Sequence, residues 1–164
     1  MSIKSHTISL LVANKPGVLV RVCLIFSRRG FNIESLVVSS TMDGRFSRMT
    51  ITACGDVQTL EQIIKQAQKL IDVVHVSEHL GENSVEKELA LIKLETPENK
   101  RVEVLQIVQH FKAETVDLNP KTLMIQVTGS TEKLDAMLAM LHNYTILEVV
   151  RTGKIVMARG IDKT

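Results

Sequence analysis

The 164-residue sequence predicts an α+β fold of two tandem ferredoxin-like domains, each with the element order βαββαβ. Three observations predict it. Segments with a two-residue apolar period and segments with a 3.6-residue period follow one another as strand, helix, strand, strand, helix, strand, and the order then recurs. Setting Gly55 against Gly129 aligns Leu60 with Leu134, Ile63 with Met137, Ile64 with Leu138 and Val76 with Val150, an offset of 74 residues. A polar stretch, 80–87, separates the two runs and is expected to link a first domain over 1–79 to a second over 88–164. The alternative is a shared period that reflects only generic amphipathic helices.

In the first half, Ile8, Leu10 and Val12 alternate with Ser9, Leu11 and Ala13, which gives the opening strand one strongly apolar face. Leu19, Val22, Cys23 and Phe26 then recur at i, i+3, i+4 and i+7, the stripe of a half-buried helix. Between them, Asn14-Lys15-Pro16-Gly17 reads as a helix start. Asn14 can accept a backbone hydrogen bond, Pro16 suits the first turn, and Gly17 lets backbone and ligand approach closely. Unused N–H groups at such a start suit a carboxylate, although turning and capping the chain is the plainer role. Gly30 fits a left-handed helix stop, and Phe31 to Ser40 reads as a strand. Met42-Asp43-Gly44-Arg45 turns the chain, and Met49, Ile51 and Ala53 mark the returning strand. Leu60, Ile63, Ile64, Ala67, Leu70 and Ile71 form a second helical stripe before a short strand through Val73, Val74 and Val76.

The second half repeats this order. Leu89 to Leu94 is an apolar strand, and Val104, Ile107, Val108 and Phe111 mark a helix that starts after Pro97. Thr115 to Leu118, a turn at Asn119-Pro120-Lys121, and a strand through Leu123, Ile125 and Val127 follow. Gly129-Ser130 opens a helix carrying Leu134, Met137, Leu138 and Leu141, and Ile146 to Val150 closes the unit. Ile155, Val156 and Met157 suggest one more strand.

Composition narrows the function. The formal charge is +2, the five aromatic residues are dispersed, and no basic stripe or recognition helix is apparent, which argues against nucleic acid. No apolar run approaches the roughly 20 residues a membrane span needs, and the first residues do not form a signal peptide, so a soluble cytoplasmic protein is expected. Cys23 and Cys54 lack Cys-x-x-Cys spacing and read as small core residues. His75 and His79 lie four apart near a strand end, too far for an ordinary shared metal site, and no metal or catalytic cluster appears. The acidic residues fall on polar faces. A binding role is therefore expected rather than catalysis, with a small metal-dependent hydrolase as the enzyme alternative.

Asn14-x-Pro16-Gly17-Val18-Leu19-x-Arg21-Val22, the run Phe26-Ser27-Arg28-Arg29-Gly30-Phe31-Asn32-Ile33-Glu34-Ser35-Leu36, and Ser47-Arg48-Met49-Thr50-Ile51 closely resemble the small regulatory subunits of acetohydroxyacid synthase, also called acetolactate synthase. The resemblance continues through Glu88-Leu89-Ala90-Leu91-Ile92-Lys93, Thr128-Gly129 and Arg151-Thr152-Gly153 to Arg159-Gly160. It implies that the first domain is an ACT domain that dimerises by sheet extension and binds a branched-chain amino acid, typically L-valine, between two copies. By that analogy Asn14, Pro16, Gly17, Val18 and Leu19 hold the effector on one subunit, and Asn32 and Ile33 contribute from the partner. The amides near Gly17 and Val18 would take the carboxylate, an Asn14 or Asn32 amide oxygen the ammonium, and Val18, Leu19 and Ile33 the branched side chain. The resemblance also implies that this chain carries no cofactor. Thiamine diphosphate, magnesium and often FAD belong to the large catalytic subunit that it would activate and make sensitive to feedback. The alternative within a binding role is a free-standing amino-acid sensor.

Overall fold

The computed structural model describes residues 4–79 and 81–164, without the side chains of Lys4 and Glu82. The first sheet contains β1 (Lys4–Ala13), β2 (Asn32–Ser40), β3 (Phe46–Gly55) and β4 (Val73–His79), ordered β2-β3-β1-β4 with every neighbour antiparallel. Helices α1 (Val18–Arg28) and α2 (Val57–Ala67) provide its crossovers. The second half repeats the plan with β5 (Ser84–Glu95), α3 (Glu98–His110), β6 (Glu114–Leu118), β7 (Thr122–Gly129), α4 (Thr131–Met140) and β8 (Thr145–Arg151), ordered β6-β7-β5-β8. The duplicated ferredoxin-like order is therefore present. β9 (Ile155–Ala158), the extra strand expected from Ile155 to Met157, pairs with β5.

Each unit has its own core. Ile8, Leu10, Val12, Val22, Met49, Ile51, Ala53, Leu60 and Ile63 are buried in the first, and Ile92, Leu94, Val104, Ile125, Leu134 and Met137 in the second. The pairs found at the 74-residue offset, Leu60 with Leu134 and Ile63 with Met137, are all at most 1% exposed. The helix caps obey the same offset, since Asp56 accepts from the Thr59 amide and Ser130 from the Lys133 amide. Val76 and Val150 do not match, the first being buried and the second half-exposed.

Local chemistry accounts for the element ends. Gly30 adopts φ 70°, its amide donates to the Ser27 carbonyl at 3.1 Å, and the Phe31 amide donates to the Phe26 carbonyl at 3.1 Å. These are the paired bonds of a Schellman stop, with Phe26 and Phe31 both in the core. A bulge breaks the β1/β4 ladder between Leu11 and Val12, and another breaks β5/β8 between Lys93 and Leu94.

Three expectations need correction. The buried stripe of α1 is Val18, Val22, Ile25 and Phe26, while Leu19 is exposed and Cys23 only half-buried. Asn14 does not cap this helix, whose start is Gly17 at φ 81° with no side-chain cap, and Pro16 precedes the helix. The chain is also divided differently from 1–79 and 88–164. One compact unit runs to Val85 and takes back Gly153–Thr164, and the other is Glu86–Thr152. The polar stretch expected to link them is a single 3₁₀ turn at Gly81–Asn83 followed directly by β5, with Leu80 outside the described residues. Polarity there marks a turn and the first residues of a strand, which sequence composition alone does not distinguish from a linker.

Candidate functional site

The segment from Asn14 to Leu19 joins the end of β1 to the start of α1. β1 delivers it with fixed direction, because the Ala13 amide donates to the Asp72 carbonyl at 2.7 Å and the Asn14 amide to the Arg45 carbonyl at 2.9 Å. The Asn14 side chain uses its Nδ2 to donate to the Gly44 carbonyl at 2.9 Å. That carbonyl belongs to the β2–β3 turn, which Asp43 organises by accepting from the Thr41 hydroxyl at 2.7 Å, the Arg45 amide at 3.1 Å and the Arg45 Nε at 2.7 Å. The Thr41 and Arg45 bonds hold the Asp43 carboxyl below its ordinary range. Two turns are thus tied together, and the amide oxygen of Asn14 is left turned away from the Gly44 bond.

The helix start carries spare donors. The Val18 amide makes a long contact with the Lys15 carbonyl at 3.4 Å, and the first full helical bond runs from the Arg21 amide to the Gly17 carbonyl at 3.1 Å. Among the described residues, the amides of Gly17, Leu19 and Val20 meet no backbone acceptor. Those of Leu19 and Val20, in the first turn, point along the helix axis at the positive end of its dipole, an arrangement that suits a carboxylate. Gly17 is needed there for its left-handed φ, and a β carbon on it would also touch Arg21 Nη1 at 3.4 Å. Arg21, not among the expected site residues, is held beside the loop by Asp72 at 2.5 Å. Its position one turn after Gly17 was the signal that could have found it.

The expected side chains divide. Asn14, Pro16, Gly17 and Leu19 are exposed around the loop. Val18 is 2% exposed and packs into the core, so its side chain cannot line a binding site. Leu19, 38% exposed, is the apolar group that faces outward at this turn. Asn32 is exposed and Ile33 half-buried at the beginning of β2. Within one chain they do not meet the loop. Ala13 pairs with Phe46, whereas Asn32 pairs with Cys54, at the opposite end of β3. That separation is roughly 26 Å at the usual rise per residue.

The other expected groups have ordinary partners. His75 pairs with Ser77 Oγ and His79 with Ser9 Oγ, each at 2.6 Å, and His6 pairs with Glu78 at 2.8 Å. Among the described residues no three metal-ligating side chains converge, and no helix is long and apolar enough to cross a membrane. Both cysteines are free. Burial raises the Cys23 thiol, and a hydrogen bond with Glu34 followed by burial raises Cys54, so neither is poised as a nucleophile.

Comparison with known proteins assigns both halves. Residues 8–75 match the family model described as the AHAS small subunit-like ACT domain. Residues 87–160 match the model for the small subunit of acetolactate synthase. The chain is 48% identical over 158 residues to a probable acetolactate synthase small subunit of Archaeoglobus fulgidus, covering 96% of this chain and 99% of that one. It is 46% identical over 160 residues to a putative acetolactate synthase small subunit of Mycobacterium tuberculosis, covering 98% and 95% of the two chains. The crystal structure of the acetolactate synthase small subunit from Thermotoga maritima superposes with a TM-score of 0.86 at 41% identity, covering 96% of this chain and 98% of that one.

Proposed function

The chain belongs to the family of acetolactate synthase small subunits, and from that premise we propose that it is a non-catalytic regulatory subunit. It associates with a large catalytic subunit, raises its rate of acetolactate formation from pyruvate, and conveys feedback inhibition by a branched-chain amino acid, L-valine first among them. Coupling of this kind requires the effector to bind two states of the complex unequally.

The observation that carries the reading is the helix start at Gly17, with three spare amides beside the exposed Leu19. The effector carboxylate is received by those amides and its short side chain lies against Leu19. Its ammonium needs an acceptor, which the Asn14 amide oxygen can supply while its nitrogen keeps the Gly44 bond.

The open strand edges support a homodimer through β2. β4, β6 and β8 each carry a bulge in their own pairing and at least two charged or titratable side chains, the usual protection of an edge. β2 has one bulge near its start, and from Leu36 to Ser40 it is uncharged and regular. Val20 and Leu24 of the crossover helix α1 are exposed as well. Antiparallel pairing of two β2 strands about Leu36 sets the partner's Asn32 beside Ser40, whose neighbour Ser47 faces Val12 just before the loop. A two-fold axis at β2 therefore brings the partner's Asn32 to about 15 Å, three strand spacings, from the end of β1 that leads into the loop, nearer than one chain's own Asn32 stands.

The test is acetolactate formation by the cognate large subunit, with and without this chain, across a titration of L-valine. Stimulation that valine reverses supports both parts of the reading. Stimulation without reversal keeps the partner and removes valine, and no effect leaves a free-standing amino-acid sensor.

A further inference from the structure

We propose that the groove between α3 and α4 of the second unit binds a free amino acid with a large apolar side chain, at a site separate from the Gly17 helix start. The groove measures about 450 Å³, within the roughly 300–1,000 Å³ of small-molecule sites. Ile107, Phe111 and Met140 supply an apolar wall, and Tyr144 closes one side. Two of the five aromatic residues in the sequence are gathered here. Met140 remains 54% exposed at the lip.

The first unit shows what a closed version of this cleft looks like. Arg21 precedes the buried Val22 of α1 as Glu103 precedes the buried Val104 of α3, and Arg29 follows Phe26 as Phe111 follows Val108. In the first unit Arg29 reaches across to Gln62 of α2, and Arg21 is paired with Asp72. In the second unit Phe111, without a charge, makes no bridge like that of Arg29, and Glu103 bonds the Tyr144 hydroxyl at the groove wall, leaving the cleft open.

Polar groups in and beside it fit a zwitterion. Glu103 lines the groove and Lys100, one turn earlier on α3, stands beside it next to Tyr144, and among the described residues no ion pair joins the two. Glu103 accepts from the Tyr144 hydroxyl at 3.1 Å, which fixes the carboxylate at the groove wall. Lys100 holds its ammonium 5.9 Å from the centre of the Tyr144 ring. A ligand ammonium is received by Glu103, its carboxylate by Lys100, and its side chain by Phe111, Ile107 and Met140. A ligand with only one charge forgoes one of the two charge-assisted contacts.

The sequence contains one tyrosine and no tryptophan, so intrinsic fluorescence reports on this groove directly. The full-length chain is titrated with L-leucine, with isoamylamine and with 4-methylpentanoate, following Tyr144 emission. L-leucine is expected to give a saturable change, with about tenfold weaker binding for either singly charged analogue, the cost of one charge-assisted hydrogen bond. Glu103→Gln is expected to weaken leucine and the amine but not the acid, and Lys100→Gln to weaken leucine and the acid but not the amine. The Gly17→Asp chain is expected to keep the response. Absence of a saturable change, insensitivity to both α3 substitutions, or loss of the signal in Gly17→Asp would each overturn the proposal.

Discussion

A β carbon on Gly55 would lie 2.0 Å from Cζ of Phe31 and 2.4 Å from both of its ε carbons. The ring cannot swing aside, because Phe31 is 7% exposed and its backbone is fixed by the bond that ends α1. Gly55→Ala is therefore expected to lower stability by about 2–3 kcal/mol, the upper part of the usual overpacking cost. Urea unfolding checks this. Combination with Phe31→Leu should recover at least about 1 kcal/mol relative to the sum of the single changes, as expected for residues in contact. Strict additivity would mean that the two do not compete for space.

Arg151 forks both oxygens of Glu88, at 2.7 and 3.0 Å, and its remaining nitrogen reaches Asp135 at 2.6 Å. Burial by itself pushes the Glu88 carboxyl up, and the hydrogen bonds and charge of Arg151 outweigh it, leaving the carboxyl below its ordinary value of 4.5. A lowered folded value means stability that is present above the unfolded value and lost as pH falls through the folded one. Arg151→Met removes that compensation and leaves a buried charge, at a cost of about 3 kcal/mol near neutral pH. In that variant burial prevails and the sign reverses, so its deficit appears as pH rises through the ordinary carboxylate range. Unfolding free energies at pH 7 and pH 4 should show the gap between the two proteins shrinking at the lower pH. A gap independent of pH would place the effect in packing instead.

The same residues show what the sequence could and could not tell. The strand faces through Ile8, Leu10 and Val12, and the Gly30 stop, were legible because each depends on neighbours within one turn or strand. The phase of α1 was not. Its run Val18-Leu19-Val20-Arg21-Val22-Cys23-Leu24-Ile25-Phe26 is apolar at eight of nine positions, so two stripes share Val22 and Phe26, and only packing against the sheet selects Val18 and Ile25 over Leu19 and Cys23. The return of Gly153–Thr164 to the first unit was equally hidden. It depends on Gly153 resting against Ser35 and on Arg48 donating to the Thr164 carbonyl, contacts between residues more than a hundred positions apart. At the candidate site the turn at Gly17 and the helix after it could be read from spacing, whereas a ligand there was favoured only by the family resemblance. The Asn14 bond to Gly44 could not be read, since neither residue announces the other.

If β2 is the dimer edge, a charge placed on its regular half should separate the chains without unfolding them. Val38 is 41% exposed and lies in the uncharged stretch from Leu36 to Ser40. Lysine on an edge strand is solvated easily alone and poorly against a second strand. Val38→Lys is expected to convert a dimer into a monomer in sedimentation equilibrium, with far-ultraviolet dichroism unchanged. A variant that remains dimeric would move the interface away from β2.

The proposed sharing of the effector site makes the sharpest prediction. Gly17→Asp sets a carboxylate beside the amides proposed to receive the effector and should abolish valine inhibition, whereas Gly17→Asn, similar in size and tolerant of the left-handed φ, should retain part of it. Asn32→Ala should also weaken the response, from the other half of the site. Neither homodimer then has an intact site. A mixed dimer of one Gly17→Asp chain and one Asn32→Ala chain has two unlike sites. One combines the altered loop with the altered strand, and the other combines a native loop with a native Asn32. Mixing the two proteins after reversible dissociation should therefore restore valine inhibition to about half of the catalytic complexes, as measured by acetolactate formation. If each site were built within one chain, every site in the mixture would keep its defect and no sensitivity would return.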